Sequence, residues 1–488
     1  MKETLPKPPI APHIQPIKPL WFLPLSSPGA GFDFDDPPAP DFKDVTVHDP
    51  SVFRAGDTFY VIGSHMACAS TTDFIAWEQI STYVRTDNPL IDPDDFADAF
   101  EWSCSRTFWA GDVQPMPDGR FFMYYCNCEG SKPLGNIGLA VADSPTGPYR
   151  NRGIFLKSGM PDVSEDGTTY DPTIHPNCID PHVFFDADGV FWMLYGSFSG
   201  GIFVLKMDPD TGLPLPGQGY GKKLTGGNHA RIEGPYMLYS QETKYYYLFL
   251  SFGGLGCEEG YNIRVARSRT VDGPFFDAAG HSMLETKGAE GSMFDDRSIE
   301  PDGTKLMGGY WFMQEIGEPG HSTTGHLSPG HNSAYYDEDS GRYYLIFHQR
   351  FPHSRSIHRV RVHEMFLTQD GWFVVSPFRY DGGASKSFKA EHVYGSWKII
   401  NHGQEINYTC ALSKTVNFQP DGTIIGRDIS GSWSLDEDGT TIRISLDNVN
   451  YTGRLSRSFA ADHNRWVMSF TAMSEAGIAL WGAGLAAE

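Results

Sequence analysis

Five segments of the sequence begin with a side chain that could bind or transfer a proton, and they share one pattern. Each continues with a short apolar run, a turn rich in Asp, Gly or Lys, and a second, aromatic run. The opening residues are Asp49, Asp112, Asp180, Glu233 and His331. Carboxyl groups that are brought together lose contact with water and repel one another, so the pKa of at least one of them rises. A protonated acid beside an ionised one is the pair that general acid–base hydrolysis requires.

One such segment alone would not indicate a catalytic site, because an Asp-Pro pair often only caps a turn. Three acids at the same position of a repeat are different, because like charges held together cluster at functional sites. Glycoside hydrolysis uses two carboxyl groups, about 6.5–9.5 Å apart in inverting enzymes, with a water between them. Aromatic rings near the opening residues could stack on sugar faces, although packing between repeats is the alternative. These rings belong to Phe108, Trp109 and Phe198.

The repeated segments also predict the elements that must position these side chains. Further strand-like runs lie between the segments, so each unit holds about four strands. Five such units over about 340 residues predict a five-bladed β-propeller, whose innermost strands line a central channel. Equivalent positions then face one axis, and the five opening residues are expected to converge on one funnel. The spacing before His331 is the longest because "ETKGAEGSMFDDRSIEPDGTK" (285–305) looks inserted.

The composition excludes several classes of partner. The 488 residues carry a formal net charge of −22, which should repel phosphate backbones and favours a neutral ligand over nucleic acid. No apolar run is long enough to span a membrane. The seven cysteines are irregularly spaced and predict neither a zinc site nor a disulfide framework. Cys126 and Cys128, two apart on a predicted strand, are expected to be buried free thiols.

The two ends of the chain differ from the repeats in composition and in residue pattern. Residues 1–40 are rich in proline and are interpreted as an extended arm that does not resemble a signal peptide. Residues 41–384 would form the propeller. From residue 385 to 488, apolar and polar residues alternate between Gly and Asp turns, which predicts a small antiparallel β-barrel domain. The fold class is therefore all-β, a five-bladed propeller followed by a barrel.

Several motifs, in order, resemble the blocks of family 43 glycoside hydrolases, with the greatest similarity to endo-α-1,5-L-arabinanases. They are "HDPSVF", "FWAGDV", "NCIDPHVF", "YGSFSGGI" and "IEGPYMLY", together with "GYNIRVARSRTVDGPFFD" and "PGHNS". The similarity covers about residues 41–380, which is the whole predicted propeller. The tail resembles the lipocalin-like module that follows the catalytic domain in some longer arabinanases.

The resemblance implies a role for particular residues. Asp49 matches the general base that activates water, Glu233 matches the general acid, and Asp180 matches the third acid, which orients Glu233 and tunes its pKa. His331 matches a histidine that helps to hold a calcium ion in the channel, largely through waters. Four residues fall in blocks that line the sugar subsites: Trp109, Asn177, Ser197 and Phe198.

The function implied is inverting endo-hydrolysis of α-1,5-linked arabinan, a neutral plant cell-wall polysaccharide. An exo-acting α-L-arabinofuranosidase or a β-xylosidase of the same fold is the alternative, since the loops around the funnel decide between a groove and a pocket. A non-catalytic sugar-binding propeller would have no need of acids at the axis. A monomer is expected. An extracellular location is expected because a polymer must be met outside the cell.

Overall fold

The computed structural model describes residues 26–160, 164–320, 325–354, 356–383 and 386–485. Within them, five antiparallel sheets of four strands each follow one another along the chain. The first two sheets contain β1 (Ser51–Ala55), β2 (Thr58–Gly63), β3 (Ala67–Thr71), β4 (Glu78–Ser81), β5 (Asp112–Pro115), β6 (Phe121–Cys128), β7 (Gly135–Ala142) and β8 (Arg150–Lys157). The next two contain β9 (His182–Phe185), β10 (Phe191–Tyr195), β11 (Ile202–Lys206), β12 (Lys222–Thr225), β13 (Ile232–Ser240), β14 (Tyr245–Phe252), β15 (Asn262–Ser268) and β16 (Thr304–Met307).

The fifth sheet follows a short strand, β17 (Tyr310–Trp311), and contains β18 (Leu327–Asp337), β19 (Arg342–Arg350), β20 (His358–Leu367) and β21 (Phe373–Val375). The first strands of adjacent sheets, β1, β5, β9, β13 and β18, contact one another in a closed ring. The sheets are therefore the blades of a five-bladed propeller, which confirms the predicted fold. The ring closes between the last blade and the first, where the backbone N–H of Val360 donates to the carbonyl of Val45 at 3.1 Å.

The barrel is closed by eight strands, in agreement with the prediction for the tail. They are β22 (Gly395–Asn401), β24 (Lys414–Phe418), β25 (Thr423–Gly426), β26 (Ser430–Leu435), β27 (Thr441–Leu446), β28 (Val449–Ala460), β29 (Arg465–Ser474) and β30 (Ala479–Gly484). Alternate residues of these strands face inwards around Trp397, Phe418 and Phe470, as the period of two in a strand requires. A short strand, β23 (Ala411–Leu412), pairs with β17 of the propeller.

Apolar and ionic contacts join the barrel to the propeller. Trp481 and Ile400 of the barrel lie in one buried cluster with Tyr310 and Phe373 of the propeller. The described part of the arm, 26–40, lies along the barrel, where Asp36 pairs with Arg457 and the backbone N–H of Ser396 donates to the carbonyl of Ser26 at 2.8 Å. The predicted boundaries at 40/41 and 384/385 stay predictions. Residues 384 and 385 lie outside the described part of the chain, as does the segment judged unlike a signal peptide.

Helices are few and short in the described residues: α1 (Ala97–Ser103), α2 (Asp296–Ile299) and the 3-10 turns Ser64–Met66, Pro93–Phe96, Met283–Glu285 and Ala390–His392. No helix among these residues has the length and apolar character that crossing a bilayer requires. Cys126 and Cys128 are buried free thiols on β6, as expected.

Candidate active site

A cavity of about 280 Å³ opens at the propeller axis. Three of the predicted acids and the predicted histidine line it: Asp49, Asp180, Glu233 and His331. They come from four different blades, and each acid is less than 10% exposed. The repeat has therefore brought together residues separated by up to 282 positions, as the alignment of the opening residues required.

The local backbone directs these side chains into the channel. Asp49, Asp180 and His331 all have a positive φ, of 58°, 56° and 44°. Residues other than glycine seldom adopt this left-handed conformation, and such strained positions cluster at functional sites. The pairing of β13 with β14 is shifted between Glu233 and Tyr236, and β18 is irregular on both sides of Gly330. Bulges of this kind change the direction in which a side chain points.

Asp49 is surrounded by donors. Nδ1 of His48 lies 2.7 Å from its Oδ2, which also accepts a hydrogen bond from the hydroxyl of Ser64. Nδ1 of His331 lies 3.2 Å from its Oδ1. Burial alone would raise the pKa of this carboxyl, but His48 and His331, together with the hydrogen bond from His48, outweigh burial and hold the pKa well below its usual range. Asp49 is therefore ionised at neutral pH.

Glu233 has the opposite balance. Burial raises its pKa, and the nearby charge of Asp49 adds to the rise, although His331 and two hydrogen bonds oppose it. Ser197 donates its hydroxyl to Oε2 at 2.7 Å, and Tyr261 donates to Oε1 at 2.8 Å. The ring of Tyr261 fits because residue 330 is a glycine. A Cβ at that position would lie 2.0 Å from the ring.

Asp180 has a raised pKa as well, because it is buried and faces the charges of Glu233 and Asp49. Its backbone N–H donates to the thiol of Cys126 at 3.4 Å. The cavity thus combines one ionised carboxyl with two carboxyls of raised pKa that influence each other's protonation. Such a set can accept a proton at Asp49 and release one from the other pair.

Comparison with known proteins identifies the family. Residues 42–298 match glycosyl hydrolases family 43, and residues 377–482 match a C-terminal lipocalin-like domain. The chain belongs to family 43. It is 52% identical over 447 residues to the extracellular endo-α-(1→5)-L-arabinanase 2 of Bacillus subtilis, with 91% of this chain and 94% of that protein covered.

Two further relatives are similar over the same extent. The extracellular endo-α-(1→5)-L-arabinanase of Thermotoga petrophila is 43% identical over 452 residues, covering 91% of this chain and 94% of that protein. The crystal structure of the family 43 YxiA protein of Bacillus licheniformis superposes with a TM-score of 0.88 at 51% identity. That match covers 91% of this chain and 99% of the other. The chain is accordingly a glycoside hydrolase.

Asp112 does not line the funnel, and the expectation that it would is wrong. Its carboxylate accepts hydrogen bonds from the hydroxyl of Ser51 at 2.6 Å, from Nδ1 of His182 at 3.1 Å and from the backbone N–H of Val183 at 2.7 Å. It therefore ties three blades together beneath the site. Ala110 and Gly111, the two residues before it, line the channel in this blade.

Four of the five residues expected to contact sugar line the cavity: Trp109, Asn177, Ser197 and Phe198. Phe108 is the exception, and the prediction that it contacts sugar is wrong. Its ring is 0% exposed and packs edge-on against Phe96, Phe100 and Tyr125 in the core, so it has no surface to offer a ligand. Neighbouring residues of an extended chain point in opposite directions, so only one of the Phe-Trp pair could face the funnel.

Several residues that complete the site have a weak signal in the sequence or none. His48 precedes Asp49 directly, and its imidazole next to an acid was an available signal. Tyr261 and Ser64 reach the acids from other strands, and no local pattern indicated them. Met293 and Phe294 belong to the stretch interpreted as an insertion, and both line the cavity.

The donors near the acids differ in how well they would hold a cation. His48, Asp49 and His348 form a compact group with ligand-type atoms within 4.8 Å of one another. Both ring nitrogens of His48 are already used, because Nδ1 lies 2.7 Å from Oδ2 of Asp49 and Nε2 accepts from Arg350. Nδ1 of His348 accepts from the backbone N–H of Asp49 at 3.2 Å, whereas Nε2 of His348 is buried without a partner among the described residues. This group therefore offers a cation one free imidazole nitrogen beside the carboxylate of Asp49, a poor ligand set.

His331 fits a cation better. If its Nδ1–H donates to the ionised Asp49, its Nε2 keeps a free lone pair, the arrangement that metal-binding histidines usually have. A pocket of about 10 Å³ beneath the acids is lined by His331 and Asn332 among others, room for about one water or ion. Both polar atoms of the Asn332 amide are buried without a hydrogen-bond partner among the described residues. The pocket has room for the ion alone, so the waters that an oxygen-seeking cation keeps would lie in the larger cavity, which His331 also lines.

Proposed function

We propose that this family 43 enzyme cleaves α-1,5-linked L-arabinan at internal bonds. The observation that carries the chemistry is the pairing of an ionised Asp49 with a Glu233 of raised pKa in one axial cavity. The identity of the substrate is supported by two relatives, 52% and 43% identical over most of their length, that are named endo-arabinanases.

In the proposed reaction, Glu233 is the general acid and Asp49 the general base. A water attacks the anomeric carbon and loses a proton to Asp49. The bond from that carbon to the glycosidic oxygen breaks, and the oxygen takes the proton of Glu233 as it leaves. Asp180 does not touch the reacting atoms in this scheme. Burial and the charge of Glu233 raise the pKa of Asp180 well above its ordinary range, so Asp180 and Glu233 hold their protons as an interacting pair.

A single displacement of this kind inverts the anomeric configuration. The alternative, with Asp49 as a nucleophile, needs carboxyl groups only about 5–5.5 Å apart and gives retention. The first sugar released from linear arabino-oligosaccharides should therefore have the opposite configuration to the bond cleaved. Proton NMR during the first minutes of the reaction measures this, and a retained anomer would contradict the proposed role of Asp49.

The walls of the cavity suit a neutral sugar chain. The rings of Trp109 and Phe198 are half-buried there, and aromatic faces bind the apolar C–H faces of sugars. Asn177 adds a side-chain amide. The net charge of −22 gives no attraction for acidic polymers, which agrees with an uncharged substrate.

Calcium is proposed as the cation held by His331 and Asn332, with waters and the nearby carboxylates around it. A bound cation would favour the ionised form of Asp49 through its charge. An extracellular location is proposed on the size of the substrate and on the names of both relatives, which include the word extracellular.

The deciding experiment is a digestion of linear, debranched arabinan followed by size analysis of the products. Early release of oligosaccharides of several lengths is expected; the release of one short product alone would indicate exo action. Glu233→Gln and Asp49→Asn should each lower kcat by about 10²–10⁴-fold, the usual contribution of a general acid or base. Wild-type-like activity in either well-folded variant would overturn the assignment.

A further inference from the structure

Two exposed apolar side chains stand at the edge of the cavity. Met293 is 62% exposed and Phe294 is 49% exposed, and both line the funnel that contains the acids. They lie in the connection between β15 and β16, here called the mouth loop and defined as residues 287–300. Apolar groups left in water beside a cavity are characteristic of a binding surface.

The backbone of the mouth loop directs Phe294 towards the opposite aromatic wall. Phe294 has a φ of 56°, and Phe198 has a φ of 50°. Their rings meet edge to face, with centroids 5.6 Å apart and planes inclined at 68°. Two bulky residues in a disfavoured conformation at one point of contact indicate a position that the surrounding structure enforces.

Buried ionic contacts fix the mouth loop. Asp296 is 6% exposed and pairs with both the Nε and a terminal nitrogen of Arg231, a two-point contact that sets orientation as well as distance. Asp295 accepts from the backbone N–H of Ser298 at 3.4 Å and so caps the first turn of α2, and it also accepts from the Ser298 hydroxyl at 2.6 Å. The loop is therefore anchored just after Phe294.

The barrel domain adds a second set of anchors. The hydroxyl of Tyr408 donates to Oδ2 of Asp296 at 3.1 Å, and the backbone N–H of Ile406 donates to Oε1 of Glu300 at 2.9 Å. Tyr408 and Ile406 belong to the connection between β22 and β23. Residues 402–408 of this connection are called the bracing segment.

Two buried basic side chains of the propeller hold the bracing segment in turn. Nζ of Lys305 donates to the carbonyls of His402 at 2.9 Å and Glu405 at 2.6 Å. The guanidinium of Arg264 donates to the carbonyl of Gln404 at 2.5 Å. Lys305 is 2% exposed and Arg264 is 0% exposed, so these bonds form away from water, where they are strong.

We propose that Met293 and Phe294 form a platform for sugar residues flanking the bond to be cleaved, and that the bracing segment of the barrel domain holds this platform in place. The inference rests on the proposed hydrolysis of arabinan and assigns the barrel a positioning role in substrate binding. A platform away from the acids binds only those substrates that extend beyond the cleaved bond. It therefore favours long chains over short ones.

The platform is tested with Phe294→Ala, assayed on debranched arabinan and on the shortest arabino-oligosaccharide that the wild type cleaves. The ratio of kcat/KM on the polymer to kcat/KM on the oligosaccharide should fall about 3–10-fold, the size expected for one aromatic contact. Leu284→Ala is the matched control, because Leu284 is 42% exposed in the same connection and does not line the cavity. An unchanged ratio in Phe294→Ala would overturn the platform.

The bracing role is tested with Tyr408→Phe, which removes only the hydroxyl that reaches Asp296. KM for the polymer should rise, by less than in Phe294→Ala, while kcat changes little. Tyr451→Phe is the control, since it removes a comparable bond, from Asn401 at 3.1 Å, inside the barrel. A Tyr408→Phe variant with a lower melting temperature and an unchanged KM would show that the contact only stabilises the fold.

The failure of this inference and the failure of the proposed function give different results. A wild-type enzyme that leaves debranched arabinan intact would contradict the proposed function. Active wild type together with an unaffected Phe294→Ala would contradict only the platform.

Discussion

Arg350 donates a hydrogen bond to Nε2 of His48 at 2.9 Å. A guanidinium has no lone pair to offer, so Nε2 must be the acceptor and the proton of the neutral ring lies on Nδ1. Nδ1 of His48 is 2.7 Å from Oδ2 of Asp49. Arg350, which does not contact the carboxylate, thus sets the tautomer that donates to the proposed general base.

Substitution of Arg350 should therefore affect catalysis more than binding. Arg350→Met removes the donor and allows the other tautomer of His48, so kcat on arabinan should fall about tenfold while KM stays nearly constant. Arg350→Lys keeps a cationic donor and should recover part of the rate. Steady-state kinetics alongside melting curves would check this, and a Met variant with the wild-type kcat would contradict the positioning role.

The donors to Glu233 should set the alkaline limit of activity. Tyr261→Phe removes the hydroxyl that donates to Oε1 at 2.8 Å. Because this bond stabilises the ionised form, its loss raises the pKa of Glu233 further and keeps the acid protonated to higher pH. The alkaline limb of the plot of kcat/KM against pH should therefore shift to higher pH.

Ser197→Ala tests the same relationship from the other oxygen, which its hydroxyl contacts at 2.7 Å. The alkaline limb should move in the same direction as in Tyr261→Phe. Tyr220→Phe, which loses a hydrogen bond to the carbonyl of Lys157 outside the cavity, is the control. A shift of the alkaline limb to lower pH in either test variant would refute the assignment of Glu233 as the acid.

Removal of calcium should lower activity at least tenfold, and added calcium should restore it. His331→Ala should lose both the activity and the bound metal, measured by elemental analysis of the purified protein. His353→Ala, which changes an exposed imidazole, should lose neither. Full activity in a sample shown to be free of metal would remove calcium from the proposal.

Much of the fold could be predicted because each blade repeats a period-two pattern that survives in the sequence. The site residues could be predicted wherever the apolar run after the opening residue fixes the alignment of the repeat, as it does for Asp180. In the second blade the alignment rests on the acid and not on the apolar run. Asp112 lies just after the channel-lining residues Ala110 and Gly111, so its carboxylate joins blades instead of lining the funnel.

The partners of the acids were beyond the reach of sequence patterns. Arg350 and His48 are 302 positions apart and meet only because the last blade closes on the first. Tyr261 approaches Glu233 across a bulge, and its access depends on the missing Cβ of Gly330. Contacts of this kind depend on the relative placement of blades, which no local periodicity encodes.

The interface between propeller and barrel should weaken as the pH falls. Burial lowers the pKa of His326, His363 and His402 there to about 3 each, against about 6.5 in the unfolded chain. Between these values the unfolded chain binds more protons than the folded one, so stability is full above about pH 6.5 and declines towards pH 3. At these values each imidazole would cost about 3 kcal/mol by pH 4, on the order of 10 kcal/mol for the three together. Melting temperatures should accordingly fall between pH 6.5 and pH 5, before most carboxylates titrate.

His402→Asn, whose amide can still accept from the backbone N–H of Gly308, should make that fall shallower, whereas the exposed His353→Asn should not. Equal slopes in all three proteins would show that His402 does not contribute to the acid sensitivity of the interface.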